Sequence, residues 1–105
     1  MSFLPAEILF SSILSNALDN ALHAVAGLPK EKRIVTLMLR EANGRMLFSV
    51  KNPIEKVPEF MDGIPVSKRK GHGYGTQSIR YLTEKLGGNC QFTVKDSMFI
   101  TRVIL

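Results

Sequence analysis

The sequence holds no tryptophan, one cysteine and two tyrosines in 105 residues. A lone cysteine, Cys90, cannot close an internal disulfide, so a reducing cytoplasm is the expected compartment. No charged, apolar and small-residue leader opens the chain, and no apolar run is long enough to span a bilayer. It reads as a soluble piece, of a kind that can also be cut from a larger membrane protein. The lack of tryptophan and the placing of the tyrosines also argue against a nucleic-acid-binding face, which needs rings interleaved with Lys and Arg on an exposed sheet. The two tyrosines, Tyr74 and Tyr81, lie in or just after a glycine-rich stretch instead. Acidic residues are also short: nine Asp and Glu against 14 Lys and Arg leave a formal net charge of +5. That balance favours anionic partners such as phosphates, nucleic acid or an acidic protein surface. Part of the excess is local, at Lys68, Arg69 and Lys70.

What remains describes one folded unit. Hydrophobic residues make up 45% and charged residues 22%, a balance that supports one core and a single domain over residues 1–105. From about Ala6 to Val25 the apolar residues recur at helical spacing, with Leu14, Leu18, Ala21 and Val25 on one face. Pro5 suits the helix start, and Gly27 with Pro29 marks its end. "RIVTLMLRE" and "RMLFSVKN" flank Asn43-Gly44, a strong short hairpin signal. From Pro53 to Lys70 periodicity disappears, and an irregular loop is predicted. Helical spacing returns from Thr76 to Leu86 and stops at Gly87-Gly88. "NCQFTVKD" and "SMFITRVIL" form a second hairpin around Asp96-Ser97. Helix, hairpin, loop, helix and hairpin in that order predict an α+β two-layer sandwich, with the helices on one face of a mixed, mostly antiparallel sheet.

Two features carry chemistry. On the first helix Ser12, Asn16, Asp19, Asn20 and His23 fall within an arc of roughly 100° at helical spacing. A solvent-facing stripe usually carries Lys, Arg or Glu, and this one has none. Asparagine is also a poor helix former, because its amide competes for backbone bonds. Two of them one turn apart suggest that their side-chain oxygens are needed, and neutral oxygens suit Mg²⁺ that shares its shell with water and phosphates. The second feature is "GHGYGTQSI", Gly71 to Ile79, with three alternate glycines ahead of the second helix. Neither the dinucleotide fingerprint nor the phosphate-loop motif fits its spacing. Side-chain-free backbone running into a helix N-terminus is nevertheless an anion site.

Together and in this order the two features resemble the nucleotide-binding domain of the GHKL superfamily, which includes sensor histidine kinases, type II topoisomerases and heat-shock chaperones. "NALDNALHAV" is similar to the N box, and "GHGYGTQSIRYLTEKLGG" to the second glycine box with its helix. The peptide-sensing, quorum-type histidine kinases resemble it most, through "LDNA" at Leu18–Ala21, "VKNP" at Val50–Pro53, "SK" at Ser67-Lys68 and "GHGYG" at Gly71–Gly75. The resemblance implies that Asn20 ligates Mg²⁺. Asn16 takes the place held by glutamate in hydrolysing members, and Asn52 the place of the aspartate that accepts from the adenine amino group. Lys68, Gly71, His72, Gly73, Tyr74, Gly75 and Thr76 fall in the lid and second glycine box, against the phosphates. The sequence departs from the family at "NPIEK", which replaces Asp-x-Gly-x-Gly, so the lid over about residues 53–71 lacks a glycine hinge at its start. Thr76 stands where many kinases have leucine, and can cap the second helix. His23 stands where many kinases have lysine and this subgroup often has glutamate.

The implied activity is that of a protein-histidine kinase catalytic domain. It binds Mg-ATP and donates the γ-phosphoryl to a histidine on a separate dimerisation domain, from which a response regulator receives it. Neither His23 nor His72 is a credible acceptor, since both lie in nucleotide-site motifs. The piece is expected to act in the cytoplasm as a monomer or weak dimer, within a sensor anchored in the bacterial cell membrane. Alternatives are an anti-sigma-type serine kinase, a degenerate nucleotide-binding module and, further off, a basic nucleic-acid-binding domain.

Overall fold

The computed structural model describes residues 6–66 and 74–105, with the side chains of Ala6 and Tyr74 left aside. The order is α1 (Ala6–Ala26), a short 3-10 turn (Lys30–Lys32), β1 (Thr36–Ala42), β2 (Arg45–Pro53), β3 (Glu59–Met61), β4 (Ile64–Val66), α2 (Tyr74–Lys85), β5 (Asn89–Lys95) and β6 (Met98–Ile104). The predicted helix–hairpin–helix–hairpin order holds. A four-stranded sheet runs β1-β2-β6-β5, and every pairing in it is antiparallel. Backbone hydrogen bonds extend the β2–β6 ladder at both ends, between Met46 and Leu105 and from Ile54 N–H to the Ser97 carbonyl.

Both helices lie on one face of this sheet, and strand alternation decides which side chains they cover. Phe48, Val50 and Asn52 of β2 point inward, with Phe99, Thr101 and Val103 of β6 and Phe92 of β5, and all seven are buried. Ile13, Ala17 and Ala21 of α1 and Ile79 of α2 complete the core from above. Each fully buried side chain such as Ile13 contributes about 1.5–3 kcal/mol of transfer free energy. Phe10 meets Phe48 edge-on at 5.8 Å, and Phe92 stacks on Phe99 at 6.2 Å.

Three details differ from the sequence reading. The buried ridge of α1 is Leu9, Ile13, Ala17, Ala21 and Val25, while Leu14 and Leu18 are half-buried at its side. Helical periodicity locates an apolar arc, but its centre is set by where α2 and β2 press. The segment after Pro53 is not irregular throughout: β3 and β4 form a hairpin around Asp62-Gly63, at φ 53 and 77. Asp-Gly is a favoured pair for a two-residue turn with both φ values positive, and such turns suit strand twist. The third is the start of α2, treated below.

The same turn geometry closes the other hairpins, at Asn43 and Gly44 (φ 53 and 77) and at Asp96 and Ser97 (φ 53 and 61). α2 ends in a Schellman motif: Gly88 N–H donates to the Thr83 carbonyl and Gly87 N–H to that of Glu84. Gly87 supplies the positive φ of 76. Gly88 serves a different purpose, because a Cβ there would overlap the Ile104 carbonyl oxygen and come within 2.9 Å of the Leu105 side chain.

Candidate functional site

The polar stripe of α1 divides in two. Ser12, Asn16 and Asn20, four residues apart, form a half-buried ridge beside the fully packed ridge of Ile13, Ala17 and Ala21. Asp19 and His23 of the same stripe are exposed. The His23 Nδ1–H donates to the Asp19 carbonyl at 2.8 Å, which orients the imidazole along the helix. The asparagines are therefore at the border where α1 meets the rest of the fold. An open cleft of about 440 Å³ runs along the first half of α1, lined by Glu7, Ile8, Ser11, Ser12, Ser15 and Asn16. Asn20 and Asn52 lie outside that cleft.

Asn52 is 1% exposed, at the inward end of β2 and opposite Phe99. Its Nδ2–H donates to the Pro53 carbonyl at 3.2 Å. A carbonyl can only accept, so this contact fixes the amide orientation and assigns Oδ1 the accepting role. An amide buried this deeply in a sheet face is costly unless its bonds are made, and a phenylalanine or valine would pack there more cheaply.

α2 begins at Tyr74, two residues before the predicted start. Gly75 and Thr76 therefore lie in its first turn, and Thr76 is not the cap. Thr76 is 2% exposed, inside the packed face of the helix. A Cβ on Gly75 would meet nothing within 4 Å among the described residues, so packing there does not demand glycine. The first-turn N–H groups of α2 form the positive end of its dipole. Lys68, Gly71, His72 and Gly73 lie outside the described residues, as does the Tyr74 side chain.

Sequence reasoning missed two features near this region. The first is the tether between the β3–β4 hairpin and α2: Arg80 Nη1 donates to the Asp62 carbonyl at 2.6 Å, and Ile64 packs against the core. The Asp-Gly pair in "FMDGIPV" was the available signal. The second is the buried Thr83, in a position that periodicity reads as apolar. The Thr83 Oγ1 has no hydrogen-bond partner among the described residues. Cys90 is half-buried, and burial pushes its thiol up from 9.0, with Arg80 opposing in part. It is a packed thiol of low reactivity.

The arrangement offers neutral oxygens on α1, a buried amide on β2, which packs beneath α1, and a second helix, α2, packed beside α1. Among the described residues no three His, Cys, Asp or Glu side chains gather in a way that would hold a metal by themselves. The GHKL domain family matches residues 7–105. The chain belongs to this family. Among solved structures it is similar to the histidine kinase AdeS of Acinetobacter baumannii, with a TM-score of 0.62 and 13% identity. The alignment covers 93% of this chain and 45% of that one, so the GHKL domain here spans less than half of that kinase's length. At this identity the likeness bears on the fold, an α+β sandwich of the GHKL kind. No curated protein matches the chain. No helix among the described residues is long and apolar enough to cross a membrane.

Proposed function

We propose that this GHKL domain is the ATP-binding catalytic domain of a sensor histidine kinase. It binds Mg-ATP and passes the γ-phosphoryl to a histidine on a separate dimerisation domain of the same protein, which in turn supplies a response regulator. The observation that carries this reading is the pair of half-buried asparagines at the edge of α1, in a family-matched chain that also buries the Asn52 amide on β2. Asn52 accepts from the adenine amino group through Oδ1. Being neutral, it makes a weaker bond than a carboxylate would, so affinity is micromolar or weaker.

The residues present suit Mg²⁺, which keeps several waters, takes phosphate oxygens and needs few protein ligands. Asn20 would hold it, and when bound it neutralises phosphate charge. Asn16 cannot take a proton from water, because an amide is no base. That disfavours hydrolysis, while an imidazole acceptor is already nucleophilic and needs no carboxylate. The α2 N-terminus, with Gly71, Gly73 and Gly75 leading into and through it, receives phosphate oxygens on backbone N–H groups. Lys68, His72, Tyr74 and Thr76 belong to the lid and its junction with α2, the lid covering about residues 53–71. The domain acts in the cytoplasm, on a parent protein held at the membrane.

Calorimetry with ADP, with and without Mg²⁺, tests this. Binding is expected in both conditions and tighter with Mg²⁺, and Asn20→Ala is expected to remove the Mg²⁺-dependent gain. No heat in either condition would refute the assignment.

A further inference from the structure

The outer face of the sheet, opposite the helices, carries a pattern that nucleotide binding does not use. Strand alternation places Arg40 on β1, Arg45 and Lys51 on β2, Lys95 on β5 and Arg102 on β6 on this face. All nine carboxylate residues of the chain lie elsewhere: Glu41 of β1 has the opposite parity, and the other eight lie off the four strands. No described helix covers the face. Between β1 and β6, over β2, lies a groove of about 420 Å³. Met38, Leu47 and Ile104 supply its apolar lining, and Arg40, Lys51 and Arg102 its charge. Leu47 and Ile104 are half-buried, while Met38, Arg40 and Arg102 are exposed around them.

We propose that this groove docks an acidic amphipathic helix of a protein partner. The proposal is independent of nucleotide binding. Charge complementarity identifies the occupant, because five cations without a carboxylate select an anion. Size identifies its form. Arg40 and Arg102 stand on strands two positions apart, a separation of roughly 10 Å, which is about the diameter of a helix. An apolar stripe can rest on Leu47 and Ile104 while carboxylates on its two flanks reach Arg40 on one side and Arg102 with Lys51 on the other. A flat anionic membrane cannot enter the groove to reach Leu47. Single-stranded nucleic acid would need stacking rings, and the phenylalanines of the four-stranded sheet, Phe48, Phe92 and Phe99, all face the core.

The test is an NMR titration of the 105-residue chain with a synthetic helix that has leucines on one face and glutamates on both flanks. Shifts are expected at Met38, Arg40, Leu47, Lys51 and Arg102, with affinity falling as salt rises. Arg40→Glu with Arg102→Glu is expected to weaken binding at least roughly tenfold while ADP binding is unchanged. Arg40→Gln with Arg102→Gln keeps the side-chain stems and guards against misfolding of the reversed pair. If it binds the peptide as the parent does, the proposal fails. Equal binding of a lysine-flanked peptide, or no shifts on this face, also overturns it. Phosphatidylserine vesicles and a single-stranded oligonucleotide are the remaining arms, and tighter binding of either to this face refutes the assignment to a protein helix.

Discussion

Replacing Gly88 with alanine separates two reasons for glycine that sit side by side in the sequence. At Gly87 the reason is conformational: φ is 76, and a Cβ would meet nothing within 4 Å among the described residues. Gly87→Ala should therefore cost about 1–2 kcal/mol, the penalty of the left-handed region. At Gly88 the reason is space. The added Cβ would overlap the Ile104 carbonyl oxygen and lie 2.9 Å from Leu105 Cδ2 and 3.2 Å from Leu105 Cα. Two of the three obstacles are backbone, in the strand segment that pairs with β2 through Met46 and Leu105. A side chain can rotate away, but this backbone can move only by disturbing the β2–β6 ladder. Overpacking against such a neighbour costs roughly 3 kcal/mol, the upper end of the usual range. For a domain of this size that is a fall in Tm of roughly 10–20 °C, out of a total stability of about 5–15 kcal/mol. Urea denaturation of both variants with a common slope measures the difference. The reasoning is refuted if Gly88→Ala lies within 0.5 kcal/mol (about the scatter of ordinary surface changes) of the parent, or costs less than Gly87→Ala.

Further outcomes are expected elsewhere. Ser97 holds φ 61 without being glycine, so Ser97→Gly should stabilise by about 1 kcal/mol, and a lowered urea midpoint would contradict this. Arg80→Ala should change global stability by less than about 1 kcal/mol, its pair with Glu84 being exposed, yet hydrogen exchange at the Met61 and Ile64 amides should quicken. Unchanged exchange there would show that the Arg80 bond to Asp62 does not hold the hairpin. Cys90 should react with a thiol reagent more slowly than glutathione at the same pH, because burial holds its proton. The sign for stability follows. The folded thiol keeps its proton to a higher pH than the unfolded one, so its contribution is complete below about 9 and is lost as pH rises beyond, which alkaline unfolding curves would reveal.

Much of the fold was legible from local chemistry. Asn43-Gly44 and Asp96-Ser97 lie between alternating runs, and both turns adopt the positive φ values that such pairs permit. Gly87-Gly88 ends α2 because Gly87 tolerates the left-handed region. Asn16 and Asn20 were singled out by composition, and they lie half-buried at the edge of the core stripe, away from the solvent-facing arc. The hairpin at Asp62-Gly63 was overlooked because its strands are three residues each, too short to show alternation. Their contacts to the rest of the fold are distant in the chain: Arg80, 18 positions from Asp62, donates to its carbonyl.

Sequence alone determined the order of the two helices and the two hairpins of the main sheet, the turns at Asn43-Gly44 and Asp96-Ser97, and the candidate asparagines. Each depends on a residue and its near neighbours, and turn residues, capping groups and apolar spacing act over a few positions. Tertiary structure decided which arc of α1 is the core ridge, that Asn52 is 1% exposed, that Gly88 must lack a side chain, and that five cations share one open face. Those facts require strands distant in the chain to stand next to one another. β2 and β6 bring Asn52 opposite Phe99 and Ser49 opposite Arg102, and no local preference of either strand contains that register.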